Sequence, residues 1–447
     1  MKPSEFILLA RQQISSDPMS RLSAVTQEVL DRNNYIFDTH CHFFDVKTVN
    51  IKYLLLRFLK DKLGLRDDQV MVPSNDPNVH YLATSYDQLH ERDILNKGAD
   101  TDEDWQQLLA EIDYVDEQQI QASKGTNKNT RGIFDIIDNR SLLLKDNVTE
   151  VYEYYLSKYA INQYNHPHLK DKELIVTLLM MDLESGWEVK VRKNMRKQMQ
   201  EIRDLCRKYP VLPYFPVDPR RTHVAGIFNL YELFLEAFRP GEESFFGVKV
   251  YPGLGYLPSD YRLLPIFEIC QEKNIPIITH CGGEAVTTHE PDLKAFRLDD
   301  PVTISGESRQ KVAAELNHPK EWLPVLEKFP NLKINLAHCG GGSAWAAYGK
   351  NGYNDKVETI IQMTRDYPNV YADFSFNVIN SSLFNTYKAV ISAYGNMRER
   401  ALFGSDYWVV CGTGNLKKKQ SQFFSQLSQF IPELVLENPK KYLFDKA

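Results

Sequence analysis

Short apolar runs recur through most of this chain, and each closes on a polar residue. The runs are Leu174–Met181, Val211–Val217, Phe245–Tyr251, Ile275–His280, Leu332–His338, Asn369–Phe374 and Ala401–Ser405, with Tyr35–His42 ahead of them. Segments of helical texture separate them, an alternation that predicts a parallel sheet. From Asp182 through Asp218, Lys249, His280, His338 and Asp373 to Asp406 the gaps are 36, 31, 31, 58, 35 and 33 residues. Five of the six match one strand plus one helix, and the gap of 58 marks an insertion after the strand ending at His280. Eight such units with polar residues at their carboxyl ends predict a (β/α)8 TIM barrel, whose functional groups gather on that face. A doubly wound open sheet is the alternative, because the same alternation serves it.

The rest of the chain hangs on this frame. Residues 1–34 read as N-terminal helices packed on the barrel, residues 35–42 and 171–447 as the barrel itself, and residues 43–170 as a mostly helical insertion after the first strand. Within the insertion, Ile51–Leu63, Thr149–Tyr159 and a segment capped at Thr101–Asp104 have helical patterns, and 124–132 reads as a loop. The insertion leaves the barrel at its carboxyl-end face, so a cap over the site is expected, with Phe43 and Phe44 lining the pocket.

Composition narrows the function class. The chain has 447 residues, 43% hydrophobic and 25% charged, with 53 basic against 59 acidic side chains and a net charge of −6. That balance argues against nucleic acid and anionic membrane surfaces as partners. The basic stretches Lys190–Lys197 and Lys417–Lys419 therefore read as solvated helix faces. The six cysteines form no CxxC pair, and the apolar run Phe6–Ala10 is too short for a signal peptide's core, so a cytoplasmic location is expected. No run approaches the ~20 apolar residues that span a bilayer.

The chemistry concentrates at strand ends. Side chains alternate along a strand, so Asp38, His40 and His42 are expected on one face, with Thr39 and Cys41 on the other. An Asp and two His in a barrel interior cost several kcal/mol unless something pairs them. His280, His338 and Asp406 end three further strands. Imidazole and carboxylate suit zinc and similar divalent metals. Cys41, Cys281 and Cys339 each follow a cluster histidine and read as small packing residues facing away from it. The glycines Gly282-Gly283 and Gly340–Gly342 fit no phosphate-loop pattern and read as places where backbone approaches the pocket closely.

These residues carry a resemblance. Asp38-Thr39-His40-Cys41-His42, Gly247-Val248-Lys249-Val250-Tyr251-Pro252 with Gly255-Tyr256-x-Pro258-Ser259-Asp260, and Ile275-Pro276-Ile277-Ile278-Thr279-His280-Cys281-Gly282 belong to it. So do Asn335-Leu336-Ala337-His338-Cys339-Gly340-Gly341, Leu402-Phe403-Gly404-Ser405-Asp406 and the closing Glu437–Phe444. Together they resemble the amidohydrolase superfamily of metal-dependent hydrolases, most nearly its amidohydrolase-related (family 2) branch, over 35–42 and roughly 170–447. The resemblance implies a distorted TIM barrel with one divalent metal ion, usually zinc, held by His40, His42, His280 and Asp406. It implies His338 as acid/base, with Asp406 sharing that duty.

The expected function is a hydrolase in which zinc-activated water attacks a carbonyl, as in an amide or lactone of a small molecule. A metal that takes the pKa of water from 15.7 to about 7 favours hydroxide by ~12 kcal/mol, whereas a lone His base contributes about 3–5 kcal/mol. Lys249 is expected to stay a free ammonium that meets a substrate carboxylate, with Tyr251 beside it and Phe43 as a further substrate contact; the alternative is a carboxylated Lys249 bridging two metals, as in some members of the superfamily. Other outcomes open at this level are a decarboxylase, hydratase or uronate-isomerase-like member of the superfamily, and a non-catalytic metal-binding protein. A homo-oligomer is also left open.

Overall fold

Eight parallel strands pair in the order in which they occur in the chain. In the computed structural model they are β1 (Tyr35–Cys41), β2 (Glu173–Leu179), β3 (Val211–Val217), β4 (Gly247–Val250), β5 (Ile277–His280), β8 (Ile334–Ala337), β9 (Val370–Asp373) and β10 (Ala401–Leu402), while β6 (Asp292–Arg297) and β7 (Asp300–Ser305) form a separate antiparallel hairpin. The structure describes residues 1–48, 145, 147–187, 191–241, 243–282, 288, 292–410 and 415–446. The ring closes through backbone bonds between β1 and the segment after β10. Thr39 N donates to Phe403 O at 3.1 Å, Asp406 N to His40 O at 2.9 Å and His42 N to Tyr407 O at 3.2 Å. This is a TIM barrel, and sequential order with joined ends excludes the doubly wound alternative.

All eight expected strands are present. The 58-residue gap holds the β6–β7 hairpin and the helix Arg309–Leu316. The interior of the barrel is apolar at its lower end. Phe37, Ile175, Leu179, Leu212, Tyr214, Ile278, Tyr371 and Leu402 meet Tyr442 and Leu443 of the C-terminal helix there. Tyr442 Oη donates to Ile277 O at 2.8 Å. With that end plugged, polar strand-end residues have room only at the other mouth.

The expected N-terminal helical stretch is two helices, Pro3–Gln13 and Ala24–Arg32, separated where Pro18 stands in a 3-10 turn capped by Asp17. The first lies on the barrel's outer helices. Phe6 stacks on Tyr231 at 4.7 Å and Arg11 bonds Glu268 at 2.7 Å. Of the insertion, the helix Val148–Lys158 is described. Asn147 caps it by accepting from Glu150 N at 3.0 Å, which satisfies one of its unpaired first-turn donors. The helices expected at Ile51–Leu63 and after Thr101, and the loop at 124–132, lie outside the described residues. No helix among the described residues is long and apolar enough to cross a membrane.

Candidate metal centre

His40 and His42 leave the end of β1 pointing into the barrel mouth, and Asp406 follows β10 across the closing seam. Asp406 has a φ of 53°, a conformation that costs a non-glycine residue energy and turns this side chain back to the histidines. His40 Nε2 lies 3.2 Å from His42 Nε2 and 3.5 Å from Asp406 Oδ1, and His42 Nε2 lies 3.7 Å from the same oxygen. All three residues are buried. Two imidazole nitrogens and a carboxylate oxygen converging in this way suit a divalent cation. Tetrahedral arms of 2.0–2.1 Å would set ligand atoms about 3.3 Å apart, close to the distances found. Asp406 Oδ1 has no hydrogen-bond donor among the described residues, so its buried charge lacks a partner of the kind a cation would provide.

Asp38 departs from the expected face. Between Asp38 and Cys41 the pairing with β2 advances from Val176 only to Leu178, so β1 carries one residue more than its partner there. Alternation therefore does not continue from Asp38 to His40. Asp38 turns to the aromatic layer outside the barrel, where Oδ2 accepts from Tyr155 Oη at 2.8 Å and Oδ1 from Ser405 N at 2.8 Å. The carboxylate thus fixes the residue before Asp406 rather than joining the cluster.

The remaining histidines continue the row. Ring centroids are 5.2 Å apart for His42 and His40, 4.9 Å for His40 and His338, and 4.6 Å for His338 and His280. His280 stands outside the three converging ligand atoms. Its ring stacks on Tyr251 at 4.1 Å, and its Nδ1 lies 3.0 Å from His338 Nε2. His338 Nδ1 faces Ser375 Oγ at 2.9 Å, Ser375 O at 3.2 Å and Asp406 Oδ2 at 3.9 Å.

Burial governs the charge states. It pulls the His40 and His42 imidazoles well below their ordinary range, with nearby Lys249 adding to the effect. His338 is lowered to about 4, again chiefly by burial. Neutral imidazole is the form that binds a metal. Burial also raises the Asp406 carboxyl against the pull of Lys249, and lowers Lys249 against the pull of Asp373 and Asp406. Lys249 Nζ is buried 5.7 Å from the centre of the Tyr251 ring and finds no hydrogen-bond partner among the described residues.

Phe43 lies in the aromatic core, 5.1 Å from Tyr152 and 5.3 Å from Tyr407, and is 2% exposed. The next residue, Phe44, is the one beside the site. It is half-buried, 6.5 Å from His42 and 4.6 Å from Trp408. Cys41, Cys281 and Cys339 are free and buried, and burial pushes each thiol up, away from the thiolate a metal would require. Cys41 Sγ meets Ser405 Oγ at 3.2 Å. Two glycines give the site its closeness. A Cβ on Gly404 would come 2.4 Å from His40 Cβ, and one on Gly282 would come 2.8 Å from His338 Cβ.

Asp373 is the residue that sequence reasoning passed over. At the end of β9 its Oδ2 lies 3.0 Å from His40 Nδ1 and accepts from Asn335 Nδ2 at 2.8 Å. Its Oδ1 accepts from the backbone N of His338 and of Ser375, both at 3.0 Å. Its place in the strand-end spacing was the available signal.

An amidohydrolase family model, Amidohydro_2, matches residues 234–437, a stretch that includes Lys249, His280, His338, Asp373 and Asp406. The matched stretch is a little under half of the chain. Dihydroorotase of Saccharomyces cerevisiae is 29% identical over 182 residues, which are 36% of this chain and 45% of that protein. The chain thus spans less than half the length of this curated relative. Among solved structures, an uncharacterized TIM-barrel protein of Bordetella bronchiseptica aligns with a TM-score of 0.43 at 16% identity, covering 70% of this chain and 91% of the other. A zinc-bound amidohydrolase of Burkholderia multivorans aligns with a TM-score of 0.43 at 8% identity over 92% and 99%. A 4-oxalomesaconate hydratase of Rhodopseudomonas palustris aligns with a TM-score of 0.39 at 13% identity over 91% and 95%.

Proposed function

We propose that this chain is a metal-dependent hydrolase of small molecules that uses one divalent cation, zinc by preference. His40, His42 and Asp406 hold the cation, and His280, two rings along the row, completes the ligand set. The observation that carries the reading is the convergence of three buried ligand atoms at 3.2–3.7 Å. A cation there supplies Lewis acidity that polarises a carbonyl and lowers the pKa of water towards about 7. Asp406 Oδ2 takes the proton from the attacking water, and His338, whose Nδ1 lies 3.9 Å from that oxygen, shares the acid/base duty. Lys249 Nζ donates to a substrate oxygen, Tyr251 and Phe44 flank the substrate, and Phe43 backs Phe44 from the core.

Elemental analysis of protein purified without chelator tests the assignment. About one divalent metal per chain is expected, with loss in His40→Ala and in Asp406→Ala. Full metal retention in both variants refutes it. The unpaired Lys249 ammonium favours a second reading on the same residues, in which the substrate is an acid that is decarboxylated or hydrated. Carbon dioxide release, or hydration of an unsaturated acid, without hydrolysis of amides or lactones would select it.

A further inference from the structure

The hydroxyl of Ser375 sits among three groups that each need something from it. It contacts Asp373 Oδ1, and it lies 3.1 Å from His40 Nδ1 and 2.9 Å from His338 Nδ1. A serine hydroxyl has one hydrogen, and an ionised carboxylate only accepts. We infer that the Asp373–Ser375 turn is a positioning element that fixes the tautomers of His40, His338 and His280 together. The inference builds on the metal-site reading, although the tautomers themselves do not require a metal.

The assignment follows bond by bond. The Ser375 hydroxyl donates its hydrogen to Asp373 Oδ1 and is left an acceptor. His40 Nδ1 then has only acceptors before it, Asp373 Oδ2 at 3.0 Å and Ser375 Oγ at 3.1 Å, so it carries the hydrogen. His338 Nδ1 also faces only acceptors on this turn, the Ser375 hydroxyl and the Ser375 carbonyl at 3.2 Å. A neutral imidazole holds one N–H, so Nε2 of both rings bears a lone pair. For His40 that lone pair points at His42 Nε2 and Asp406 Oδ1. For His338 it points at His280 Nδ1, 3.0 Å away, which must therefore donate. His280 consequently keeps its lone pair on Nε2.

The turn is built to hold this arrangement. Ser375 N and His338 N both donate to Asp373 Oδ1, and Asn377 Nδ2 donates to His338 O at 2.6 Å. His338 and Phe376 take positive φ values of 60° and 59°, a cost of order 1–3 kcal/mol each that the surrounding bonds must outweigh. Three histidines from β1, β5 and β8 are thereby committed by one carboxylate and one hydroxyl on a single turn. Outer-shell partners of this kind are typically worth ~10–100-fold in metal affinity.

Long-range 15N–1H correlation spectra of 15N-histidine-labelled, metal-free protein read the tautomers directly. His40, His280 and His338 are expected in the Nδ1–H form, each assigned by its His→Asn variant. An Nε2–H form of any of the three in the wild type overturns the inference. Asp373→Asn replaces one acceptor oxygen with a donor. It is expected to bring the Nε2–H form of His40 into the spectrum and to weaken zinc binding by ~10–100-fold in a competition titration. Unchanged tautomers in a folded Asp373→Asn protein also overturn it. If the wild type shows the three Nδ1–H forms but binds no zinc, the metal-site proposal fails and the tautomer assignment stands.

Discussion

Gly404→Ala is a one-carbon perturbation whose outcome can be worked from the packing. Gly404 sits on the closing seam, two residues before Asp406, with its Cα against β1. The added Cβ would stand 2.4 Å from His40 Cβ, 3.1 Å from Ser375 Cβ and 3.2 Å from His40 N. Ordinary contact begins near 3.4 Å, so the nearest approach is about 1 Å too short. None of these atoms is the far end of a flexible side chain, so relief must come from backbone movement of β1 or of the seam. Overpacking of this kind costs ~1–3 kcal/mol. Metal ligands tolerate only ~0.2 Å, so a shift of His40 by even half the deficit takes its Nε2 out of reach. The expected result is a folded protein that melts a few degrees lower and binds zinc at least ~10-fold more weakly, as losing a ligand's orienting partner does. Differential scanning fluorimetry and a competition titration with a chromogenic chelator measure the two effects. A Gly404→Ala protein with wild-type zinc affinity would show that His40 is not held at this seam in the way described.

His338→Asn is expected to keep most of the metal and to slow turnover by ~10²-fold or more on the best substrate from an amide and lactone screen. Loss of metal in step with activity would make His338 a ligand. The metal-free protein should lose stability as pH falls from about 6.5 towards 4. Burial holds the His338, His40 and His42 imidazoles below their ordinary range, so the unfolded chain takes up these protons first; the raised Asp406 carboxyl acts in the opposite direction over the same window, and three imidazoles outweigh one carboxyl. Urea titrations at pH 7 and pH 5 check the sign, and equal stability at the two values would contradict it. Replacing residues 49–144 by a short linker is expected to leave metal binding largely intact and to raise KM or alter substrate choice. Unaltered kinetics on the native substrate would show that the insertion is no cap.

The frame of this molecule was legible because a repeating barrel writes its period into the chain. Spacing and strand-end polarity single out His40, His42, Lys249, His280, His338 and Asp406 in the sequence itself. What spacing could not convey was pairing. The extra residue between Asp38 and Cys41 is defined only against β2, and it decides that Asp38 faces Tyr155. Likewise the chain past the end of β1 follows no alternation, so Phe43 and Phe44 could not be assigned to core and rim. The role of Asp373 depends on neighbours from β1 and β8, hundreds and tens of residues away in sequence. The hairpin after β5 announced itself only as a long gap, since its apolar face is just Leu293 and Ala295 on one strand and Val302 and Ile304 on the other, too short an alternation to stand out in the chain.

The seam where the barrel closes has a consequence for how the molecule comes into being. Thr39 and Phe403, which meet there, are 364 residues apart in the chain. Contacts of such span form late, because the entropy of joining distant segments must be met before they reward it. His40, His42 and Asp406 straddle this join, so the cation site exists only once the first and last strands have found each other. A chain still emerging from the ribosome has its histidine pair long before it has the carboxylate, and it cannot hold a metal in the mature geometry. On the proposed metal reading, a cation bound once Asp406 arrives would act as a clasp across the join of the first and last strands. Metal supply during synthesis should therefore govern the yield of closed barrels more than the speed of the steps that precede closure.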